Sequence, residues 1–584
     1  MRQPLRLCLV NVDTPLAEAF KALGHQVLPL SPPGNSTLHL PTALAEHHFV
    51  PDATLQQEML GPRLLITGLD KVPGLRAFWA RDPHLNGFWQ AAYARLFDLT
   101  FSTQHSSLRD LAACGAERVL HLPWYAPNRP FRPFAERKRV AGFAGRLTPM
   151  RPARTWLIEA MNGLLGQNFA LVENAPFQQM LDFYMDCRLV PNESLAGEVN
   201  FRLFEAAGCG CVVLAQNLGP EQAALLTPGR EMLVCADALE LAETVTLLEQ
   251  RPRLAEALGR AAWERIQADH LPAARAASIL QALRETPERT AATGDLARNM
   301  FLLTLAGLAE ADRISQGVPE LLADLAASTA KDTVERAERE LLLTAQLRVG
   351  NAVFAPMPGA TPGENATPLE TALTSALSLC RSPEGAGLPL LLACAMLALR
   401  RALAGTAPAH WPALARELTA LAGGHTAPEA TPRDILLTWA RLLQGTRELP
   451  GADLPTHGGF PFEPGHHLPA TAGECLHWAS ALTEGDTEVL RALVENVSAR
   501  GNADAVLLGL LSDLGLRLPN DWRVGLATGL CDLRVFRAAE GLSELALALA
   551  NAQAQGQAED FTAELAASDP SGRILKALAA FTTP

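Results

Sequence analysis

The sequence predicts a chain that is α/β over its first half and all-α over its second half. Short apolar runs of strand length alternate with helical segments up to about residue 285, and a break rich in proline and charge at 128–139 divides this part in two. After residue 287 the strand-like runs vanish and Ala/Leu-rich helical periodicity continues. Because 48% of the residues are hydrophobic, the 584-residue chain can fill several cores.

The first α/β domain is predicted over residues 1–130. Its first strand is LCLVNV (7–12), and an amphipathic helix over Thr14–Leu23 ends at Gly24. Further strands are predicted at QVLPL (26–30), RLLITG (63–68), RAFWA (76–80), DLTFST (98–103) and RVLHLPW (118–124). Continuous apolar strands separated by helices indicate a parallel sheet covered on both faces, as in Rossmann-like domains.

A second α/β domain is predicted over residues 138–285, because the same alternation restarts after the break. It opens on the strand VAGFAG (140–145), followed by a helix through Trp156–Leu165. The strands FALVEN (169–174) and CVVLAQ (211–216) follow, and helices cover Leu239–Leu283. The domain is therefore predicted to be a second doubly wound sheet.

The third predicted domain, 287–584, is entirely helical. Helices are expected at Thr367–Cys380, Leu388–Ala404, Trp411–Ala422 and Arg433–Leu443. Pro/Gly-rich loops at 354–368 and 450–469 are candidate points of subdivision. Paired helices in series resemble a solenoid, but no fixed-period consensus identifies a named repeat.

Composition narrows the classes of function. A formal net charge of -13 argues against nucleic acid as the partner, which calls for a basic surface. Ten scattered cysteines indicate reduced thiols, and the apolar start of the chain is interpreted as a strand because Asp13 stands where a signal-peptide cleavage site is needed. The longest apolar stretch, near Leu388–Leu399, is too short for a transmembrane segment. A cytoplasmic location is therefore expected.

The segment Pro191–Asp237 carries the most chemical information. A strand ends at Asn192, and a loop leads into a helix that carries Asn200, Arg202 and Glu205. The carboxyl end of a parallel strand, facing a helix N-terminus, is where such sheets bind phosphate-bearing ligands. Because Glu198, Arg202 and Glu205 are spaced at i, i+4 and i+7, an exposed salt-bridge ladder is an equally open interpretation.

The segment GFAGRLTPMRPAR (142–154) is a second candidate ligand site. Gly145 lets the backbone approach a ligand closely, and Arg146, Arg151 and Arg154 offer guanidinium groups that match diphosphate oxygens. Taken alone, an ordinary strand-to-helix turn with exposed arginines explains the pattern equally well.

These segments carry a resemblance to a known family. NFRLFEAAGCGCVVLAQ (200–216) resembles the nucleotide-binding half of GT-B glycosyltransferases, in particular the spore-maturation (CgeB-like) family. Tyr184 and Asn192 stand where that family tends to have a tyrosine and an asparagine, and AGFAGRL is similar to the loop that opens its second domain. His270 and Arg275 resemble its closing helix, and residues 77–104, with Asp82 and His84, resemble a segment of its first domain. The resemblance covers about residues 5–285.

The resemblance implies a GT-B fold and metal-independent transfer of a hexosyl group from a nucleotide-sugar donor, with no other cofactor. Glu205 would hold the ribose and Arg146 the diphosphate, with Arg151 a second candidate and Asn200 and Arg202 lining the pocket. Asp82 or His84 would act as general base on the acceptor hydroxyl. A hydrogen-bonded loop histidine is the alternative interpretation of His84. The acceptor is left open between a glycan, a lipid-linked glycan and a protein.

Several alternatives remain. Gly197 replaces the first glutamate of the pair found in many retaining GT-B enzymes, so loss of activity is open. The chain would then be a scaffold that binds a protein partner through its helical domain in envelope or appendage assembly. A sugar-nucleotide epimerase and, last, an NAD oxidoreductase are the other rivals. Cys209 and Cys211 are expected to be buried without metal, and His457, His466 and His467 are expected to be exposed loop histidines.

Overall fold

The computed structural model describes residues 3–149, 151–194, 197–286, 289–354, 367–404, 410–445, 462–500 and 504–582. It divides into two compact units. The first consists of Met1–Pro123 and Ala276–Val489, and the second of Trp124–Arg275 and Leu490–Pro584. Each unit therefore combines one stretch of the α/β half with one stretch of the helical half. The domain boundaries set out from the sequence stay predictions.

The first unit contains a six-stranded parallel sheet in the order β2-β1-β4-β6-β7-β8. Its strands are β1 (Arg6–Val10), β2 (Gln26–Leu30), β4 (Ala53–Gln57), β6 (Leu75–Ala80), β7 (Leu99–Ser102) and β8 (Val119–His121). Strands β3 (Ser36–His39) and β5 (Leu64–Thr67) form a separate parallel pair. The connecting helices are α1 (Thr14–Ala22), α2 (Leu40–Glu46), α3 (Pro83–Ala94) and α4 (Leu108–Ala113).

Two predictions in this unit need correction. RLLITG was assigned to the main sheet, but its strand β5 pairs with β3 instead. The position between β1 and β6 belongs to β4, whose sequence ATLQQ is buried throughout although it is largely polar. Its two glutamines are satisfied by other elements. Gln56 donates to the Leu64 carbonyl at 2.9 Å and accepts from the Tyr93 hydroxyl at 2.7 Å, and Gln57 donates to Asp13 at 2.9 Å. Hydropathy alone therefore missed a central strand.

A buried ion pair between Arg76 and Asp98 lies at the first sheet, and Asp98 also binds the backbone of the segment that leads into the later helices of this unit. Arg76 and Asp98 are 1% and 0% exposed, with Nε and Oδ2 3.2 Å apart. The Asp98 carboxylate accepts the amides of Thr290 and Ala291 at 2.9 Å each. This connection leads directly into helix α12 (Gly294–Glu310). Gly307 of this helix packs against the backbone of α3, and a Cβ there would lie 2.6 Å from the Phe88 carbonyl oxygen. The first helices after residue 287 are therefore part of the same core as the first sheet.

The remaining helices of this unit follow in chain order. They are α12 (Gly294–Glu310), α13 (Val318–Thr329), α14 (Arg336–Phe354), α15 (Thr367–Cys380), α16 (Leu388–Leu403), α17 (His410–Leu421), α18 (Pro432–Gly445) and α19 (Ala472–Leu482). Helices α11 (Pro272–Glu285) and α20 (Thr487–Arg500) each cross a boundary between the units. Among the helices of the described residues, none combines the length and apolar character needed to span a bilayer.

The second unit contains a five-stranded parallel sheet in the order β10-β9-β11-β12-β13. Its strands are β9 (Arg139–Ala144), β10 (Phe169–Val172), β11 (Cys187–Asn192), β12 (Val212–Ala215) and β13 (Leu233–Val234). Its helices in the first of its two chain stretches are α5 (Pro152–Leu165), α6 (Phe177–Met185), α7 (Phe201–Gly208), α8 (Pro220–Leu225), α9 (Ala238–Gln250) and α10 (Pro252–Asp269). In the second stretch they are α21 (Asp504–Arg517), α22 (Trp522–Arg534), α23 (Ala538–Ala554), α24 (Ala558–Ser568) and α25 (Arg573–Thr582).

The C-terminal helices of the second unit pack on its sheet domain. Arg573, at the start of α25, contacts Glu240 and Glu243 of α9 at 3.0 and 3.1 Å. The guanidinium carbon of Arg537 lies 5.0 Å from the centre of the Trp156 ring. These contacts are reinforced by apolar packing, since Phe536 belongs to the core formed by β9, β11, α5 and α9.

The predicted fold class is confirmed: two parallel-sheet α/β regions are followed by helices. The four helix ranges predicted in the second half agree with α15, α16, α17 and α18 to within one or two residues. The predicted loops at 354–368 and 450–469 lie largely outside the described residues, which stop at 354 and 445 and resume at 367 and 462.

Candidate functional site

The candidate site of the second unit lies at the carboxyl ends of β9 and β11. Gly145 follows β9, and it stands beside Arg202 of α7, so that a Cβ at Gly145 would lie 2.9 Å from Nη2 of Arg202. A larger residue would displace the guanidinium. The glycine that the sequence marked as a ligand-approach position is thus also required by the packing of its own strand end.

Arg202 fastens the two strand ends to the helix that follows them. Its Nη1 donates to Oδ1 of Asn192 at 3.2 Å, and its Nη2 donates to the carbonyl of Ala144 at 3.4 Å. The Tyr184 hydroxyl donates to the same carbonyl at 3.3 Å. The guanidinium lies over the Phe143 ring, 4.2 Å from its centre. Four predicted donor-site residues, Gly145, Tyr184, Asn192 and Arg202, are therefore brought together.

Glu205 lies one turn further along α7 and is 6% exposed. Burial raises the pKa of its carboxyl to about 8, against a smaller opposing effect of the Arg202 charge. Within the described part of the chain, no group forms a hydrogen bond with its Oε2. At neutral pH the side chain is therefore mainly a neutral carboxylic acid with one unused oxygen, which is costly to bury.

Asn200 stands at the N-cap of α7 and places a second unused acceptor at this edge. Its Nδ2 donates to the Glu193 carbonyl at 3.0 Å, while its Oδ1 is buried with no hydrogen-bond partner in the described structure. The helix that begins here, Phe201–Gly208, directs its free N–H groups toward the same end. Two orphaned oxygens beside a helix N-terminus form an arrangement suited to a ligand that carries hydroxyl groups and an anionic group.

The exposed salt-bridge ladder is wrong as an interpretation of this segment. Glu198, Arg202 and Glu205 are 6%, 7% and 6% exposed. Glu198 precedes the helix, and its Oε2 accepts the Ser194 hydroxyl at 2.8 Å. The i, i+4, i+7 spacing is therefore a coincidence of sequence rather than one face of a helix in solvent.

The arginines of residues 142–154 separate into different environments. Arg146 is exposed, whereas Arg151 is partly buried, with Nη1 3.9 Å from Oε2 of Glu193. Arg154 is buried and contacts the same oxygen through Nε and Nη2 at 2.9 Å each. Burial, with repulsion from Arg202, lowers the pKa of Arg154 to about 10. An ordinary turn with exposed arginines therefore does not describe this segment.

Glu193 was missed by the sequence analysis, and Arg154 was named there as a candidate for the diphosphate but was given no role in the predicted donor site. Glu193 is the residue immediately after β11 and is 1% exposed. The signal in the sequence that could have identified Glu193 is a carboxylate directly after a strand, because the strand was already predicted to end at Asn192. Its partner could not be found from sequence, because Arg154 is 39 residues away.

In the first unit, the predicted residues Asp82 and His84 lie at the N-terminus of α3. Asp82 is the N-cap, and His84 is within the first turn, so the alternative of a loop histidine is wrong. Nδ1 of His84 is buried without a hydrogen-bond partner in the described residues. This unused ring nitrogen is the feature that keeps His84 a candidate for proton transfer.

Glu58 holds this segment in place and was missed by the sequence analysis. Its carboxyl follows β4 and accepts the amides of Arg81 and Asp82 at 2.6 and 3.2 Å. It also accepts from the side-chain amides of Asn86 and Gln90 at 2.9 and 2.7 Å. Burial, with repulsion from Asp82, raises the pKa of Glu58 to about 7. A buried acid thus sets the start of α3.

His270 and Arg275 contact each other as the closing segment of the second α/β domain. Nη2 of Arg275 lies 2.7 Å from Nδ1 of His270 and donates to the Trp124 carbonyl at the same distance. Because Nδ1 accepts from Arg275, Nε2 carries the proton and donates to the Leu225 carbonyl at 3.1 Å. Cys209 and Cys211 are fully buried as predicted, and burial raises the pKa of both thiols.

Comparison with known proteins places this site within a recognised family model. Residues 146–281 match the model described as glycosyl transferase-like. That range includes all the predicted donor-site residues except Gly145. No curated protein sequence matches the chain.

Solved structures offer more distant likenesses. The chain is 14% identical to sucrose-phosphate synthase from Thermosynechococcus elongatus, with a TM-score of 0.38 over 48% of this chain and 98% of the other. It is 13% identical to Anabaena HepE, solved in complex with UDP-glucose, with a TM-score of 0.33 over 48% and 100%. A glycosyltransferase from Rickettsia africae is 10% identical, with a TM-score of 0.36 over 50% and 100%. With TM-scores below 0.5, none of these likenesses bears on the activity of this chain.

Proposed function

We propose that this chain is a glycosyltransferase that transfers a hexosyl group from a nucleotide-sugar donor to a hydroxyl acceptor without a metal ion. The observation that carries the proposal is the pair of orphaned buried oxygens, Oε2 of Glu205 and Oδ1 of Asn200, at the carboxyl edge of a parallel sheet. Both lie in the segment that matches the glycosyl transferase-like model. A parallel sheet binds nucleotides at this edge, where loops and helix N-termini converge.

The proposed donor site assigns a role to each group. Glu205 binds the ribose hydroxyls, since its free oxygen otherwise stays unsatisfied in a buried position. Arg146 is exposed and free to reach the diphosphate, together with the N–H groups at the start of α7. Arg202, held by Asn192 and Ala144, positions these groups and supplies positive charge where the leaving diphosphate develops negative charge. Arg151 is a second diphosphate candidate.

The proposed acceptor chemistry rests on the start of α3. An acceptor hydroxyl must lose its proton as it attacks the sugar, and a nearby imidazole or carboxylate accepts it. His84 has an unused ring nitrogen, and Asp82 is fixed by its backbone bond to Glu58. The acceptor itself is proposed only as a hydroxyl-bearing glycan, lipid-linked glycan or protein.

The experiment that tests the donor site is calorimetric binding of UDP, GDP, ADP, CDP and dTDP to the full chain. We expect saturable binding of one nucleotide, with affinity lowered at least about 5-fold in Glu205→Ala, since leaving the ribose hydroxyls without this buried partner costs about 1–3 kcal/mol. The matched control is Glu256→Ala, which removes a carboxyl of α10 that accepts the Phe134 amide before β9 begins.

The other outcomes separate the rival functions. If no nucleotide binds at millimolar concentration, the enzyme is abandoned in favour of a scaffold that acts through its helices. If a sugar nucleotide is bound and converted while no nucleoside diphosphate is released with acceptor, the chain is an epimerase. Equal affinities of wild type and Glu205→Ala would show that the nucleotide binds elsewhere.

A further inference from the structure

A cluster of three potential metal ligands lies in the first unit, between the end of α12 and the segment before α19. Asp312, His466 and His467 each bring one ligand atom within 4.8 Å of the others. Nε2 of His466 is 3.3 Å from Oδ2 of Asp312. The expectation that these histidines are simply exposed is wrong for His467, which is 5% exposed, while His457 lies outside the described residues.

The two histidines are held in place by their backbone. Arg400 donates to the carbonyls of Pro464, Gly465 and His467, and Asn351 donates to the His466 carbonyl at 2.8 Å. The imidazole centres are 4.6 Å apart, with planes at 75°. Arg400 and Asn351 bind the backbone of this segment, and Nε2 of His466 faces Asp312.

Asp312 is presented by the C-terminal end of α12. The helix ends at Glu310, and Asp312 has φ +53°, the left-handed conformation common just after a helix C-terminus. The partial negative charge of the helix C-terminus favours a cation near Asp312. The positive charge of Arg313, the next residue, opposes this effect.

We propose that Asp312, His466 and His467 bind one divalent transition-metal ion of the zinc class. Two imidazoles and one carboxylate form a ligand set that suits Zn²⁺, Co²⁺ and Ni²⁺, with water in the remaining position. Bonds of about 2.0 Å in tetrahedral geometry put ligand atoms roughly 3.3 Å apart, which matches the His466–Asp312 separation.

The third ligand, His467, needs a small adjustment. Its Nδ1 accepts the Glu463 amide at 3.2 Å, so Nε2 carries the ring proton. Metal binding requires this contact to break, either to free Nδ1 for the metal or to let the proton move to Nδ1 and free Nε2. The ion would join the segment 462–469 to α12. This is a structural role in the helical part of the first unit, and it does not depend on the proposed transferase activity.

The test uses the untagged, chelator-treated full chain, titrated with Co²⁺ and followed by visible absorption. We expect one ion per chain, d–d bands characteristic of a four-coordinate site, and displacement by Zn²⁺. Asn tolerates the left-handed backbone conformation of Asp312 as Asp does, so Asp312→Asn should not strain the chain. His466→Gln keeps a polar side chain at that position. Each should weaken binding by at least about 100-fold, the upper end of the loss caused by changes outside the ligand shell. Circular dichroism of the metal-free variants checks that they fold.

The matched controls are Asp324→Asn and His425→Gln, which remove exposed side chains of the same types elsewhere in this unit. Both should bind Co²⁺ as the wild type does. The proposal is overturned if the wild type gives no Co²⁺ bands, or if Asp312→Asn and His466→Gln bind with wild-type affinity. Either result would show that the contact between Asp312 and His466 does not serve to bind a metal ion.

Discussion

Arg154 and Glu193 form a buried ion pair in which Nε and Nη2 of the guanidinium both lie 2.9 Å from one carboxylate oxygen. The Glu193 side chain is 1% exposed, and that of Arg154 is 8% exposed. Nη1 of Arg154 also donates to the Arg146 carbonyl at 3.1 Å. The pair therefore links the end of β11 to the turn that carries Arg146, the proposed diphosphate ligand.

Arg154→Ala is predicted to lower the free energy of unfolding of the second unit by about 3 kcal/mol, because the buried Glu193 carboxylate then keeps only the longer contact with Arg151, at 3.9 Å. Urea denaturation followed by far-UV circular dichroism measures the loss. Arg260→Ala is the control: its partner Glu256 lies 3.3 Å away, and the Arg260 side chain is 46% exposed, so the loss should stay within about 1 kcal/mol. Equal losses in the two variants would contradict the account of the buried pair.

The stability of Glu205→Gln relative to wild type is predicted to increase with pH. The pKa of Glu205 is about 8 in the folded chain, above its ordinary value of 4.5. The folded state therefore keeps a proton that the unfolded state has lost, and wild-type stability falls as pH rises from 4.5 through 8. Glutamine lacks this cost, so the advantage of the variant should grow by up to about 5 kcal/mol.

Urea denaturation of both proteins at pH 5 and pH 9 measures this difference. Glu249→Gln, an exposed carboxyl of α9, controls for the loss of one negative charge. A difference between Glu205→Gln and wild type that is the same at both pH values would show that Glu205 is ionised in the folded protein.

His270 is predicted to stay neutral well below pH 6. Burial, with repulsion from Arg275, lowers the pKa of the ring from 6.5 to about 4. The stability that depends on the neutral ring is complete above pH 6.5 and is lost as pH falls toward 4, by about 3 kcal/mol. An NMR titration of the His270 Cε1–H signal measures the pKa directly. A midpoint near 6.5 would contradict the buried contact with Arg275.

Asp98→Ala is predicted to loosen the connection to α12. The amides of Thr290 and Ala291 donate to Asp98, which also neutralises Arg76. Loss of this buried group, at about 3 kcal/mol or more, should speed hydrogen exchange at those two amides by about 100-fold. Asp295→Ala, which removes a pair with Lys331 whose two side chains are 59% and 34% exposed, should speed exchange by no more than about 5-fold. Matching rates in the two variants would refute the role of Asp98.

The sequence predicted elements well where local patterning and burial agree. Continuous apolar runs gave β1, β9 and β12, and Leu-rich periodicity gave the helices of the second half. It failed at β4, because Gln56 and Gln57 are buried polar residues satisfied by groups from other elements. Hydrophobic pattern cannot reveal a polar strand whose partners are distant in sequence.

Some features of the candidate site could likewise be predicted from the sequence, and others could not. Gly145, Asn192, Arg202 and Glu205 could be proposed from residue type and from their place after predicted strands. That Glu205 has an unused oxygen, and that Arg146 is exposed while Arg154 is buried, depends on packing across segments far apart in the chain. Glu58 was invisible for the same reason, since its hydrogen-bonding partners begin 23 residues later.

By itself the sequence determined the class of the elements that have a clear apolar pattern, because strand and helix periodicities, glycines and prolines act over a few residues. Only the tertiary structure decided which helices share a core with which sheet, which charges are buried, and which polar atoms lack partners. The helices after residue 287 divide between two units because Arg76 and Asp98 bind one stretch of them and Arg573 connects another to α9. Such contacts join residues hundreds of positions apart, and their energy depends on shared burial, which no local pattern encodes.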